Sequence, residues 1–547
     1  MEHAVLHAVQ LIGLILALAG PCLVLGLLQP AARTLGVDTS RSPLSAALNA
    51  SATRWAAWGA LAAAGGALLD LLVQSAELKG ETVFGGADLS LSIRFATQTV
   101  VGNLMLLRIG VLLLTAAATR RRAPGKWWLV GALACAATLL VGLVSHAAAQ
   151  PGARGIIIAS QLAHICAAAA WLGVLMHLLA ARRALVAATA PDEVALVAEV
   201  VRRFSPVALG AATLIALSGV YATWRFLGTP SAVLTSTYGL TLSLKLLLLL
   251  PVLVAGFVNF RIVRPALARL TSASPALDVS TVLRRFGRLL ELEVTAGILV
   301  ITVAGIVGSI SPPGADGALR LSPRQVEALL SPDRPTTNIG NLEEMYRSAE
   351  RTILNWRYSE FTHNWSGVFV ILMGASWLVQ GLGGRSGAFA ARFWPALLLP
   401  FALFVAIAAD PQIWLLRQVT VWDVLRDPQQ LEHQIGAAMV LLLAGLGWRD
   451  RRTPAANRPL GYALPVVMIL GSILLLGHAH SALNDTEELT NLITVQHAVF
   501  GTFGLLAGTV RWLELRGLFP QRAARLLWPS LIVALGLFMA FFYREVV

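Results

Sequence analysis

The sequence predicts an all-α, polytopic bundle of about fourteen membrane-spanning helices with its N-terminus outside. Three observations carry this prediction. Of 547 residues, 56% are apolar and only 13% charged. The apolar residues recur in runs of about twenty, the length that crosses roughly 30 Å of hydrocarbon. Lys and Arg gather in alternate connections, as loops retained in the cytoplasm do.

The expected spans in order are 4–28, 52–75, 98–119, 127–147, 156–180, 204–227, 238–263, 288–310, 363–382, 393–412, 433–448, 460–479, 492–512 and 526–543. Glu2 and His3 precede the first run where a signal peptide would carry basic residues, so that run is expected to remain as a helix. Basic residues then mark every second connection. Arg33 and Arg41 follow the first span, Arg120, Arg121, Arg122 and Lys126 the third, and Arg182, Arg183, Arg202 and Arg203 the fifth. The series continues with Arg264, Arg269, Arg284 and Arg285, then Arg385 and Arg392, then Arg449, Arg451, Arg452 and Arg458, and last Arg516, Arg522 and Arg525. These loops are assigned to the cytoplasm, and an even number of crossings puts the C-terminus outside with the N-terminus. The net charge of +13 follows from this topology and the anionic inner leaflet; no basic stripe interleaved with aromatics calls for nucleic acid.

The chain divides into an eight-helix membrane domain (1–310), an outer segment (311–362) and a six-helix membrane domain (363–547). Within the outer segment, the charged stretch Leu342 to Glu360 is expected as a helix on the membrane surface. Cys22, Cys135 and Cys166 lie inside spans, which argues against a disulfide framework.

Nine of the ten histidines fall on the outer side: His3, His7, His146, His164, His363, His433, His478, His480 and His497. Only His177 lies toward the cytoplasmic end. One histidine at a helix end is commonly an interfacial or capping residue, but nine on one face point to metal ligation. Two hairpins share a pattern. His146 closes one helix and His164 stands early in the next; His478 and His480 close another and His497 stands early in its successor, so imidazoles from antiparallel neighbours reach similar depth.

The densest set is His363, Glu432-His433, His478, His480 and His497, with His146 and His164 as a second choice. Nitrogen donors with few carboxylates suit copper or zinc rather than calcium or magnesium. Eight methionines without clustering argue against a methionine ladder for copper(I), and the oxidation state stays open. Transport also needs donors at depth. Cys166, Cys135, Met176 and His177, with Cys22, form a thin ladder, although buried Cys and Met serve equally as packing residues. Arg108 and Lys245 sit within spans and should face the bundle interior; Asp70 is placed to neutralise Arg108, and Glu291 and Glu293 to receive a cation.

The stretch His164-Ile165-Cys166-Ala167 to Trp171-Leu172-Gly173, then Arg203-Phe204-Ser205, Gly219, Tyr238-Gly239, Lys245 and Asn259, resembles the membrane domain of the CopD copper-resistance and copper-transport family. The second half resembles the extended C-terminal region of some members. The residues that carry this are His363-Asn364-Trp365 with Gly367, Asp410-Pro411, Arg426-Asp427-Pro428, His433, His478-Ala479-His480, Trp512-Leu513-Glu514 and Tyr543-Arg544-Glu545. The resemblance implies a bacterial inner-membrane protein that takes copper at the periplasmic face and passes it toward the cytoplasm. It also implies a periplasmic copper-binding partner of the CopC type, here expected as a separate protein docking on 311–362.

Three functional classes remain open: a copper transporter, a copper assembly or sensing protein that moves no metal, and a membrane protein holding haem b between paired histidines. An enzyme is not expected, because GxxxxGK[ST], GxSxG and HExxH patterns are all missing from the sequence. The oligomeric state is open.

Overall fold

The computed structural model describes residues 2–123, 125–144, 154–271, 278–314, 320–339, 353–409, 420–450, 459–478 and 487–545. Each expected span coincides with a helix. The first eight are α1 (Glu2–Leu35), α2 (Pro43–Glu77), α3 (Val100–Thr119), α4 (Lys126–Val144), α5 (Arg154–Ala180), α6 (Pro191–Leu227), α7 (Thr237–Leu270) and α8 (Val279–Val307). The rest are α9 (Ile353–Leu382), α10 (Gly384–Ala408), α11 (Pro428–Asp450), α12 (Ala463–Gly477), α13 (Glu487–Leu515) and α14 (Gln521–Phe541). Thirteen are long and apolar enough to cross a membrane, while α12 has only 15 residues. The protein is therefore an all-α, multi-pass membrane bundle, with no strand among the described residues.

Helix starts follow local chemistry. Ser42 accepts from Ser45 N ahead of α2, with Pro43 in the first turn; Thr99 accepts from Gly102 N ahead of α3, and Ser236 from Gly239 N ahead of α7. In the outer segment, Ser322 and Gln325 build a capping box for a short helix, Pro323–Leu330. Of the surface helix expected over Leu342 to Glu360, 342–352 lie outside the described residues, and 353–360 are the first turns of α9. The apolar run simply continues the helix back through these polar residues.

In lipid, helices associate by close van der Waals packing rather than by escape from water. α1 is the hub of the first half. It crosses α2 at Gly13 and Gly59, where a Cβ on either glycine would overlap the other's carbonyl oxygen. In the second half Gly367, Gly374 and Gly381, spaced at seven residues, form one stripe of α9. A Cβ there would strike the α14 backbone at Ala540, Val533 and Arg525 respectively. The α9–α14 pair is thus seated backbone to backbone.

The two halves meet along α7, α8, α12 and α13. Leu244, Leu248 and Val303 pack with Leu476, Ala498 and Leu505, and the Thr237 hydroxyl donates to that of Thr494 at 3.0 Å. At the other end of α13 from Thr494, Glu291 bonds Arg182 at 2.8 Å and also Arg516 beyond α13. Glu291 is a structural tie rather than a waiting cation site. Elsewhere between the halves, Thr82 N donates to Arg426 O at 2.9 Å.

Candidate metal centre

Four helices of the second half deliver imidazoles to one place. His363 is the eleventh residue of α9, His433 the sixth of α11 and His497 the eleventh of α13, while His478 follows α12. Their rings form a row: His433 to His478 is 5.2 Å between centroids, His478 to His497 is 4.7 Å, and His497 to His363 is 5.3 Å. His478 and His497 are buried, at 4% and 1% exposure.

Ring orientation is set from behind. His363 Nδ1 lies 2.8 Å from the Ser359 carbonyl and His497 Nδ1 lies 2.8 Å from the Ile493 carbonyl. A carbonyl only accepts, so Nδ1 carries the proton in both rings and Nε2 is the lone-pair nitrogen. His478 Nδ1 is held in the same way by the Glu432 carboxylate, itself buried. This is the outer-sphere pattern that orients metal-binding histidines. As the structure stands, no three His, Cys, Asp or Glu side chains among the described residues converge on one metal position.

The C-terminal segment closes over the row. Tyr543, fully buried, stacks on His363 with centroids 4.1 Å apart and planes 20° apart. Its hydroxyl donates to Glu545 Oε1 at 2.5 Å, a carboxylate that also accepts from Ser359. Burial first, and Glu545 second, push the Tyr543 phenol well above its ordinary pKa, so it stays a donor. Gln496, next to His497, exchanges two hydrogen bonds with the Arg544 backbone at 2.7 and 2.8 Å. The sequence showed Tyr543-Arg544-Glu545 only as part of a resemblance; nothing in its spacing placed it on a histidine.

Below the row lies a partly open cavity of about 290 Å³ lined by α9 to α14. His363, Glu432, His433, His478 and His497 stand on its lining, as do Met373, Met439, Met468 and Met539. Half of the eight methionines thus line one cavity, which corrects the expectation that they are unclustered. They come from four helices far apart in the chain, so linear spacing concealed them.

The remaining candidates are dispersed. His146 and His480 lie outside the described residues. His164 Nδ1 meets the Ser218 hydroxyl at 2.8 Å and lies within electrostatic reach of Lys245, which has no hydrogen-bond acceptor among the described residues. Cys135 and Cys166 come within hydrogen-bonding reach of each other, with Cys22 close by, although Cys135 faces out of the bundle. Met176 is a core residue, and His177, fully buried, bonds the Leu16 carbonyl at 3.1 Å. Arg108 and Asp70 do not pair as expected. Arg108 donates to Gln10 at 2.8 Å, and Asp70 binds His3 at 2.6 Å, so each takes its direct partner from α1 although their own two helices are in contact. Glu293 accepts from Asn259 at 3.0 Å.

The fold and this row define a multi-pass membrane protein with an imidazole cluster buried at one end of its second half. Residues 3–156 match the copper resistance protein D-like N-terminal domain, and residues 198–307 match copper resistance protein D. The chain belongs to the CopD family, whose members are copper-resistance membrane proteins. Neither match extends beyond residue 307, so the imidazole row lies outside the matched segments. No curated protein and no solved structure matches the chain.

Proposed function

We propose that this protein binds copper at the row His363, His433, His478 and His497 and carries it across the membrane toward the cytoplasm. Glu432 orients His478 in this reading. The supporting observation is the fixing of three imidazoles through Nδ1, which leaves three Nε2 atoms as soft-to-borderline nitrogen donors in one buried cluster. The row belongs at the periplasmic face of a bacterial inner membrane, with both termini on that side. A separate CopC-like protein would deliver copper at 311–362. His480 and His146 join the donors only as sequence expectations.

The haem alternative fits poorly. Bis-imidazole haem needs its two rings on opposite sides of a macrocycle, and neighbouring rings 4.7–5.3 Å apart leave no slot for one. Catalysis is not part of this reading. The Ser218 hydroxyl that meets His164 already donates to the Leu214 carbonyl at 2.5 Å, so this pair is not a primed nucleophile and base. Binding without transport is the second reading. It is favoured by the first-half ladder, where His177 is committed to Leu16 and Cys135 faces outward.

Isotopic copper uptake into proteoliposomes tests the choice. Transport predicts protein-dependent uptake that is lost in a His478→Ala/His497→Ala variant which still folds. Tight copper binding with no uptake by the wild-type protein would overturn the transport half of the proposal.

A further inference from the structure

Each of three helices that carries an imidazole of the row also carries a methionine nearer the middle of the bundle. On α9 Met373 follows His363, on α11 Met439 follows His433, and on α12 Met468 precedes His478. At about 1.5 Å per residue, the thioethers stand roughly 9–15 Å deeper than the imidazoles. Met539 of α14 lies one turn before Tyr543, the residue stacked on His363. All four methionines line the same cavity. Met439 reaches toward α12: a Cβ on Gly471, one turn from Met468, would lie 3.8 Å from Met439 Cε.

Below the row the lining contributes no imidazole and no carboxylate. The remaining side-chain oxygen donors there are the hydroxyls of Ser366 and Ser472, and Ser472 already donates to the Met468 carbonyl at 2.6 Å. A metal descending from the row therefore exchanges nitrogen for thioether sulfur. Copper(I) accepts that exchange, whereas copper(II) favours nitrogen and oxygen in tetragonal array. Methionine is also the common filler of irregular cores. Here the four methionines border a cavity of about 290 Å³ that they do not fill.

We infer that this cavity is a thioether site for copper(I), with ligands drawn from Met373, Met439, Met468 and Met539. The inference rests on the copper reading of the imidazole row and fixes the oxidation state that the row passes on.

The test uses the full-length protein in detergent, titrated anaerobically with copper(I) against a chelator and aerobically with copper(II). X-ray absorption reports the copper ligands. The variants are Met373→Leu/Met439→Leu/Met468→Leu, its three single components, and His478→Ala. Leucine nearly conserves the volume, so the bundle should keep its melting temperature. The expected result is sulfur scattering from bound copper(I) that disappears in the triple variant, with copper(I) affinity lowered roughly tenfold or more and copper(II) affinity unchanged. The single variants give smaller losses of the same sign. Unchanged copper(I) affinity in the leucine variants, alongside weakened binding in His478→Ala, would overturn the thioether site and leave the row standing. If His478→Ala alters binding of neither oxidation state, the copper reading of the row fails and this inference fails with it.

Discussion

Glu432 offers the sharpest test of how the row is held. Its buried carboxylate accepts from His478 Nδ1, and that bond both fixes the tautomer and makes the imidazole more basic at Nε2. Removal of such an outer-sphere partner costs about 10–100-fold in metal affinity, or ~1.4–2.7 kcal/mol. Glu432→Ala is predicted to weaken copper binding by that amount. Glu432→Gln keeps an amide oxygen that accepts from Nδ1, but a neutral bond is roughly half as strong as a charge-assisted one, so about half the free-energy loss should return. The assay is chelator competition on purified protein, with thermal unfolding alongside. If Glu432→Ala unfolds at lower temperature but holds copper as tightly as wild type, the pair is structural and the reasoning is refuted.

Other predictions concern the surroundings. Tyr543→Ala should cost about 3–5 kcal/mol of stability by emptying a fully buried aromatic site on His363, whereas Tyr543→Phe should cost only about 1 kcal/mol for the lost bond to Glu545. Denaturant unfolding separates the two, and equal losses would contradict the stacking account. Glu291→Ala removes the carboxylate shared by Arg182 and Arg516 and should destabilise by about 1.5–3 kcal/mol. It should leave copper affinity unchanged, because α13 sets Arg516 roughly 28 Å along its axis from His497; a loss of metal binding would restore Glu291 as a cation site. Gly374→Val should separate α9 from α14, since a Cβ there lies 2.9 Å from Val533 N, and a drop of at least 1–3 kcal/mol is expected in thermal unfolding.

Much of the fold was legible because the bilayer imposes helices of fixed length and the charge rule alternates their ends. Even the fifteen-residue α12 was found by its apolar run. The start of α9 was read too late, because charge does not say where a transmembrane helix begins and α9 extends back to Ile353. The outer histidines were legible as a set, since His433, His478, His497 and His363 all stand at helix ends assigned to one side. Their sharing of one row could not be read, because it depends on which helices are neighbours in space. The same reason hid the methionines: each is a single residue on its own helix, and only packing places them on one cavity. The Asp70–Arg108 pairing failed likewise, with Gln10 and His3 of α1 supplying the partners instead.

The central claim is that the imidazole row binds copper. Copper content and optical spectrum of the wild-type protein and of a His363→Ala/His478→Ala/His497→Ala variant, purified side by side and matched for folding, test it most directly. The account predicts tightly bound copper without a Soret band in the wild type and its loss in the variant. Equal copper content in both proteins, or a Soret band that tracks these histidines, would contradict it.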